Sequence, residues 1–312
     1  MTGPITGLDA VRNAKVTVVE VGPRDGLQNE AARIETADKV EFVNLLSAAG
    51  LPVIEVSSFV SPKWVPNLAD AQEVFARIEH RPGTMYTALV PNRAGLDRAI
   101  ASGVTEVAIF AAASETFSRK NINRSIDESM TEYREVCRLA ADASVRVRGY
   151  LSTAFGCPYE GIVPVTAVLT RTKQLLDLGV FEVSVSDTIG IAHPGQVSDV
   201  LHAMREHIED GQIALHFHDT RGTALANVLV GLLAGVRTFD ASAGGLGGCP
   251  YAPGAAGNLA TNDLIYMLDG LGVVTNVSLD RLDEATDFIG SRLDHDLPSR
   301  YVQARRARRA TP

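Results

Sequence analysis

The chain has 312 residues, 46% hydrophobic and 21% charged, an ordinary composition for a globular protein with a large core. A net charge of −8 excludes a general nucleic-acid binder. Three cysteines (Cys137, Cys157, Cys249) make neither a disulfide framework nor a zinc set, and no apolar run is long enough to span a bilayer.

The expectation is a cytoplasmic protein with neither a membrane nor a nucleic acid as partner. The opening residues, MTGPITGLDAVRNAK, hold no signal-peptide core and no Arg-rich amphipathic presequence. The closing Ala310-Thr311-Pro312 is not a peroxisomal address. Arg300, Arg305, Arg306, Arg308 and Arg309 crowd together nearby and read as the solvated basic face of a terminal helix.

In chain order, short β-rich runs alternate with longer helical stretches. Strands are predicted at Val16–Val21, Pro52–Ser57, Thr84–Val90 and Val104–Phe110. Four more follow at Val145–Ser152, Phe181–Ser186, Ile213–His218 and Arg237–Ala241. Helical apolar spacing covers Ala37–Ala49, Ala69–Ile78, Ser125–Ala143, Val163–Leu178, Pro194–His207 and Leu225–Ala234. Gly50, Gly103, Gly179 and Gly235 each close a helix before the next strand. This rhythm predicts an α/β fold, a closed (β/α)8 TIM barrel, with an open doubly wound sheet as the alternative. The open sheet is disfavoured because no G-x-G-x-x-G follows the first strand. One domain over 1–312 is expected, with the barrel at about 16–271 and a helical C-terminal extension at about 280–312.

In a barrel of this kind, chemistry belongs at the C-terminal ends of the strands. The first strand delivers Arg24 and Asp25 there, although Pro-x-Asp-Gly is also ordinary turn chemistry. Glu55 lies between apolar neighbours of opposite parity, so it faces the barrel interior, as half of a buried ion pair or in a functional role. Ser118-Arg119-Lys120-Asn121-Ile122-Asn123 reads as a loop, either solvated or an anchor for a phosphorylated ligand. Tyr150 in strand five reads as packing, and Asp187 after strand six as a helix cap or another rim carboxylate.

Strand seven carries the sharpest signal. His216 and His218 are two apart, so both imidazoles face the interior, an arrangement suited to a divalent cation. Asp219 follows, orienting a histidine or capping the next helix. His80, His193, His202, His207 and His295 have no evident partners and read as surface residues. Further ligands must be oxygen donors: Asp25, Glu55, Asp187, Asn258 or water. Such mixed coordination suits Mg2+ or Mn2+, with Zn2+ and Fe2+ as alternatives. The five lysines lie in helices, loops or a strand edge, which disfavours Schiff-base chemistry.

The segment Gly244–Asn258, GGLGGCPYAPGAAGN, is too rich in glycine and proline to be the interior of a helix or strand. It carries Cys249 and Asn258 and is placed as the last βα loop. It is expected to be open or poorly ordered without substrate and closed with it.

Four segments together, GPRDGLQNE from Gly22, SSFVSPKWVPN from Ser57, HFHD from His216 and the glycine-rich loop, resemble the hydroxymethylglutaryl-CoA lyase family. That family belongs to the metal-dependent TIM-barrel lyases. The arginine-aspartate and His-x-His pieces are shared across the superfamily. The loop and the SPKWVPN stretch are specific to the lyase branch. The resemblance runs from about Val16 to Leu271. It implies metal ligands Asp25, His216, His218 and Asn258, a catalytic arginine at Arg24 and a loop cysteine at Cys249. Glu55, Asn121, Tyr150 and Asp187 match positions implicated in substrate binding or catalysis. Lys63, Arg119 and Lys120 are candidate contacts for CoA phosphates.

The resemblance further implies an acyl-CoA substrate, a homodimer or larger homo-oligomer, and a place in leucine degradation and ketone-body metabolism. No cysteine follows Cys249, which departs from the animal members and puts thiol control between subunits in doubt. The implied reaction is cleavage of 3-hydroxy-3-methylglutaryl-CoA to acetyl-CoA and acetoacetate. Asp25 is the first candidate base, His216 the next, and Cys249 the acid. A sibling lyase acting on citramalyl-CoA or a longer branched substrate is the alternative. A condensing synthase, lacking room for its regulatory domain, and a non-enzymatic metal-binding scaffold are weaker readings.

Overall fold

A computed structural model of the chain describes residues 7–248 and 257–310. Eight parallel strands close on themselves in chain order. They are β1 (Thr17–Glu20), β2 (Val53–Ser58), β3 (Met85–Leu89), β4 (Glu106–Ala112), β5 (Arg146–Ser152), β6 (Val183–Asp187), β7 (Ile213–Phe217) and β8 (Thr238–Ala241). Pairing of Thr17 with Thr238 and of Glu20 with Ala241 closes the barrel. Each predicted strand is present, its ends shifted by at most two residues.

The barrel forms because each strand alternates two kinds of side chain. Val18, Ile54, Val107, Val147, Val183, Leu215 and Phe239 point outward and join the helices in one large apolar core. The inward positions carry a much smaller apolar cluster, Leu89, Ala108 and Tyr150 with Phe110 against it. Much of the remaining interior is polar: Glu55, Arg148, Ser184, His216 and Asp240 are all buried there. Burying that many polar groups is costly unless they are paired or have a task.

One helix departs from the sequence expectation. Glu115–Ile122, read as part of a loop, is a helix whose N-cap Ser114 accepts a hydrogen bond from the Phe117 N–H. Its Glu115–Arg119 pair is spaced for a helix, but Phe117 and Ile122 alone give no apolar period. Arg93–Ala101, capped by Asn92, is the helix that Gly103 closes. Beyond β8, helices Thr261–Gly270, Leu279–Gly290 and Arg300–Ala310 complete the chain. Among the described residues no helix is long and apolar enough to cross a membrane.

The basic tail is less exposed to water than its composition suggests. Arg305 pairs with Asp283 and Asp287, and Arg306 with Asp287 and Asp296. Two of the histidines expected to lack partners also have them. The His295 ring lies 2.8 Å from a Glu30 oxygen, and His193 accepts from the Gln196 N–H at the head of Pro194–Arg205.

Candidate active site

β1 ends in a single wide helical turn, Gly22–Gly26, whose Arg24, Asp25 and Gly26 N–H groups converge on the Val21 carbonyl. That turn aims Arg24 and Asp25 across the mouth of the barrel. Arg24 donates from Nε to Glu55 and from Nη1 to Asp25, and its guanidinium stands 5.3 Å from the centre of the Tyr150 ring. Of the two sequence alternatives for Glu55, the structure shows the buried ion pair, and its partner is the rim arginine. Burial penalises the Arg24 charge, but Glu55 and Asp25 outweigh it and hold the guanidinium protonated far above its ordinary range.

Asp25, His216 and His218 offer ligand atoms that all lie within 4.8 Å of one another. The two imidazole centres are 5.3 Å apart. Burial would raise the Asp25 pKa, but Arg24, both histidines and a hydrogen bond from Asn258 bring it down to about 2. Burial, helped by His216, lowers His218 to about 4, so at neutral pH that ring is uncharged with a free lone pair.

Asn258 joins the cluster from the far end of the glycine-rich loop. It bridges to His218 along the backbone, and its Nδ2 donates to Asp25 at 2.9 Å. Its Oδ1 is buried without a hydrogen-bond partner, as is Nδ1 of His218. Orphaned buried acceptors are costly and uncommon. A carboxylate and two imidazoles converging beside an amide oxygen that lacks a partner fit a divalent cation.

A cavity of about 650 Å3 opens over this cluster. Arg24, Asp25, Tyr150, His216 and His218 line it, with Asn121 and Lys120 on its wall. Lys120 stands over the Tyr159 ring at 4.0 Å. Arg119 is not on that wall; its guanidinium turns to Glu115 at 2.9 Å. Lys63 is exposed on the loop after β2, beside Trp64, which does line the cavity. Asp187 is buried outside it, with its two oxygens accepting from the Ile191 and Ala192 N–H groups. That is a loop-capping arrangement, close to the helix-cap alternative. Asp219 accepts from the Ala224 N–H, the capping alternative for that residue.

A scan of family models matches the HMGL-like model over residues 15–289. The chain belongs to the HMGL-like family. It is 51% identical to the hydroxymethylglutaryl-CoA lyase of Bacillus subtilis over 289 residues, 93% of this chain and 97% of that protein. A crystal structure of hydroxymethylglutaryl-CoA lyase from Pseudomonas aeruginosa superposes with a TM-score of 0.93 at 49% identity, covering 95% of this chain and 99% of that one. An HMG-CoA lyase from Acinetobacter baumannii, solved in complex with coenzyme A and 3-methylmalate, gives 0.89 at 38% identity, covering 93% of this chain and 95% of that one.

In this HMGL-like chain Cys249 lies outside the described residues, as does the loop through residue 256. The loop's two stems are described. Gly247 has φ +103°, and a Cβ there would lie 2.9 Å from Asn258 Nδ2 and 3.1 Å from the Gly26 Cα. Only glycine lets the outgoing stem pass this close to the Asp25 turn. The returning stem is fixed by the Asp219 N–H to Gly257 carbonyl bond, 3.0 Å.

The sequence reading missed the residues behind His216. Asp240 lies opposite His216 in the β7–β8 register, with its Oδ2 3.3 Å from His216 Nδ1. Arg148 and Ser184 both donate to it, and Glu182 holds Arg148 from the other side. Glu20 was missed as well: it is fully buried at the base of the Gly22–Gly26 turn, accepting from Gly22, Ala243 and Thr261. For Arg148 and Asp240 the signal was parity, since each is a charged residue on an inward-facing strand position; Glu20 shares the outward parity of Val18 and gave no such signal.

Proposed function

We propose that this chain is a hydroxymethylglutaryl-CoA lyase, cleaving 3-hydroxy-3-methylglutaryl-CoA to acetyl-CoA and acetoacetate. The observation that carries this reading is the arginine-backed Asp25–His216–His218 cluster at the mouth of a barrel 51% identical to one such lyase over 93% of the chain. The donors for the ion are Asp25, His216, His218 and Asn258, and their mixed oxygen and nitrogen chemistry favours Mg2+ or Mn2+. A bound divalent cation supplies charge that lowers the pKa of the substrate's C3 hydroxyl, which makes a weak base sufficient.

Asp25 is that base. Its carboxylate is ionised through the neutral range and lies on the cavity wall, so it takes the C3 hydroxyl proton as the C2–C3 bond breaks. The electron pair moves into the thioester, leaving the enolate of acetyl-CoA. Arg24 faces that oxygen with a charge already fixed by Glu55 and Asp25, so no reorganisation is needed as negative charge develops. Tyr150, whose pKa burial pushes well above its ordinary range, keeps its proton beside the same guanidinium. Cys249 delivers a proton to the enolate carbon, because a thiol of ordinary pKa, ~8.5, is protonated at neutral pH.

Lys120, on the cavity wall, and Lys63, on the neighbouring loop, are the contacts we assign to CoA phosphates. Arg119, engaged with Glu115, is the weaker candidate. The test is a substrate panel. Purified enzyme with Mg2+ is offered 3-hydroxy-3-methylglutaryl-CoA and citramalyl-CoA, and kcat/KM is compared. We expect the former to be preferred by at least tenfold. A preference for citramalyl-CoA would replace this reading with the sibling lyase.

A further inference from the structure

The polar network inside the barrel is larger than the proposed chemistry uses. Arg24, Glu55, Asp25 and the histidines have roles, but the Arg148–Asp240–Ser184 group, lower in the barrel, has none. It is unusually well held. Arg148 Nη2 donates to Asp240 Oδ1 at 2.9 Å, Ser184 Oγ donates to Oδ2 at 2.6 Å, and Arg148 Nε reaches Glu182 at 2.7 Å. All four side chains are buried. A carboxylate fixed this firmly has one face left, and that face meets His216 Nδ1 at 3.3 Å. That contact is an ion-pair distance rather than a fully aligned hydrogen bond, and no other acceptor reaches the nitrogen among the described residues.

We propose that Asp240 is a positioning residue for the metal site: it accepts from the Nδ1–H of His216, fixing the tautomer that leaves the Nε2 lone pair free to ligate. The inference rests on the reading of Asp25, His216 and His218 as cation donors. A neutral imidazole has one proton and two nitrogens, and the partner of one nitrogen decides what the other can do. Arg148 and Ser184 act through Asp240. They hold its oxygens so that the ring cannot turn Nδ1 toward the cation and Nε2 toward the barrel floor. The alternation of β7 brings both histidines to the same face, but it does not set which nitrogen of His216 points up. Asp240 does.

The substitution that isolates this role is Asp240→Asn. Arg148 is a donor only, so the oxygen of the introduced amide stays with it and the amide N–H turns to His216. That N–H donates to Nδ1, the ring proton moves to Nε2, and the lone pair is lost from the ligating side, the consequence of an amide beside an imidazole. The readouts are the ring 15N shifts of His216 in metal-free protein, assigned by difference against His216→Gln, and Mn2+ affinity by calorimetry. We expect Nδ1 protonated in the unsubstituted protein and Nε2 protonated in Asp240→Asn. Mn2+ binding should weaken by about 10- to 100-fold, with the thermal midpoint little changed.

The unsubstituted protein tests the inference even if the variant does not fold. Finding Nε2 protonated there would overturn it. Equal Mn2+ affinity in the two folded proteins would also overturn it while leaving the metal reading intact. Failure of the unsubstituted protein to bind Mn2+ at all would overturn both.

Discussion

Arg24 is held between two carboxylates, so its removal should damage stability and catalysis by separable amounts. Replacing it with methionine leaves Glu55, 1% exposed, buried without its partner. Breaking a buried pair in this way costs about 3–5 kcal/mol, unless the carboxylate takes up a proton instead. For a chain of this size that corresponds to a fall in Tm on the order of 10 °C. Adding Glu55→Gln removes the stranded charge, so the double variant should recover most of that loss. Activity should not recover, because the charge facing the enolate oxygen is still absent. Losing such a preorganised donor costs roughly 10²–10³ in kcat. Thermal unfolding and steady-state turnover of both variants decide the matter. A double variant that turns over within tenfold of wild type would refute the role given to Arg24. One as unstable as the single variant would refute the ion-pair argument.

Burial lifts Glu20 to about 7 against the hydrogen bonds from Thr261, Ala243 and Gly22, so between pH 4.5 and 7 the folded chain keeps a proton that the unfolded chain releases. Stability from this group is whole below pH 4.5 and is lost as pH rises through about 7, roughly 3 kcal/mol in all. Urea unfolding at pH 5 and pH 8 should show that decline in wild type and a flatter profile in Glu20→Gln; equal slopes would contradict the assignment. Gly247→Ala should strain the stem by on the order of 1–3 kcal/mol and push the Asn258 amide off Asp25. Mn2+ titration should then show weaker binding, and unchanged affinity would mean that Asn258 is not a ligand. Cys249→Ser should lower kcat by orders of magnitude with Mn2+ affinity preserved, and wild-type turnover would remove Cys249 as the acid.

Much of the architecture could be read from one rhythm. Each helix-closing glycine, such as Gly50 and Gly179, marks where a helix must stop before a strand, and the positive φ at both positions is the physical reason. Helix Glu115–Ile122 escaped because its evidence lies in a cap and one charge pair, which apolar periodicity does not register. At the site, parity alone put His216 and His218 on one face, while Arg24 and Asp25 followed from the end of β1. Asn258 came only from resemblance, since an amide in a glycine-rich loop carries no spacing signal of its own. Asp240 could not be recognised in isolation. It is 92 residues from Arg148 and gains its meaning only when barrel closure brings β5, β7 and β8 around the same interior.

The central claim is that this barrel cleaves 3-hydroxy-3-methylglutaryl-CoA through a metal-dependent site. The most direct measurement follows both products from that thioester with purified protein, first with EDTA and then with excess Mg2+ or Mn2+ restored. The account predicts acetyl-CoA and acetoacetate in equal amounts, abolished by the chelator and recovered with the ion. Metal-replete protein that releases no acetoacetate, or release that EDTA does not touch, would contradict it.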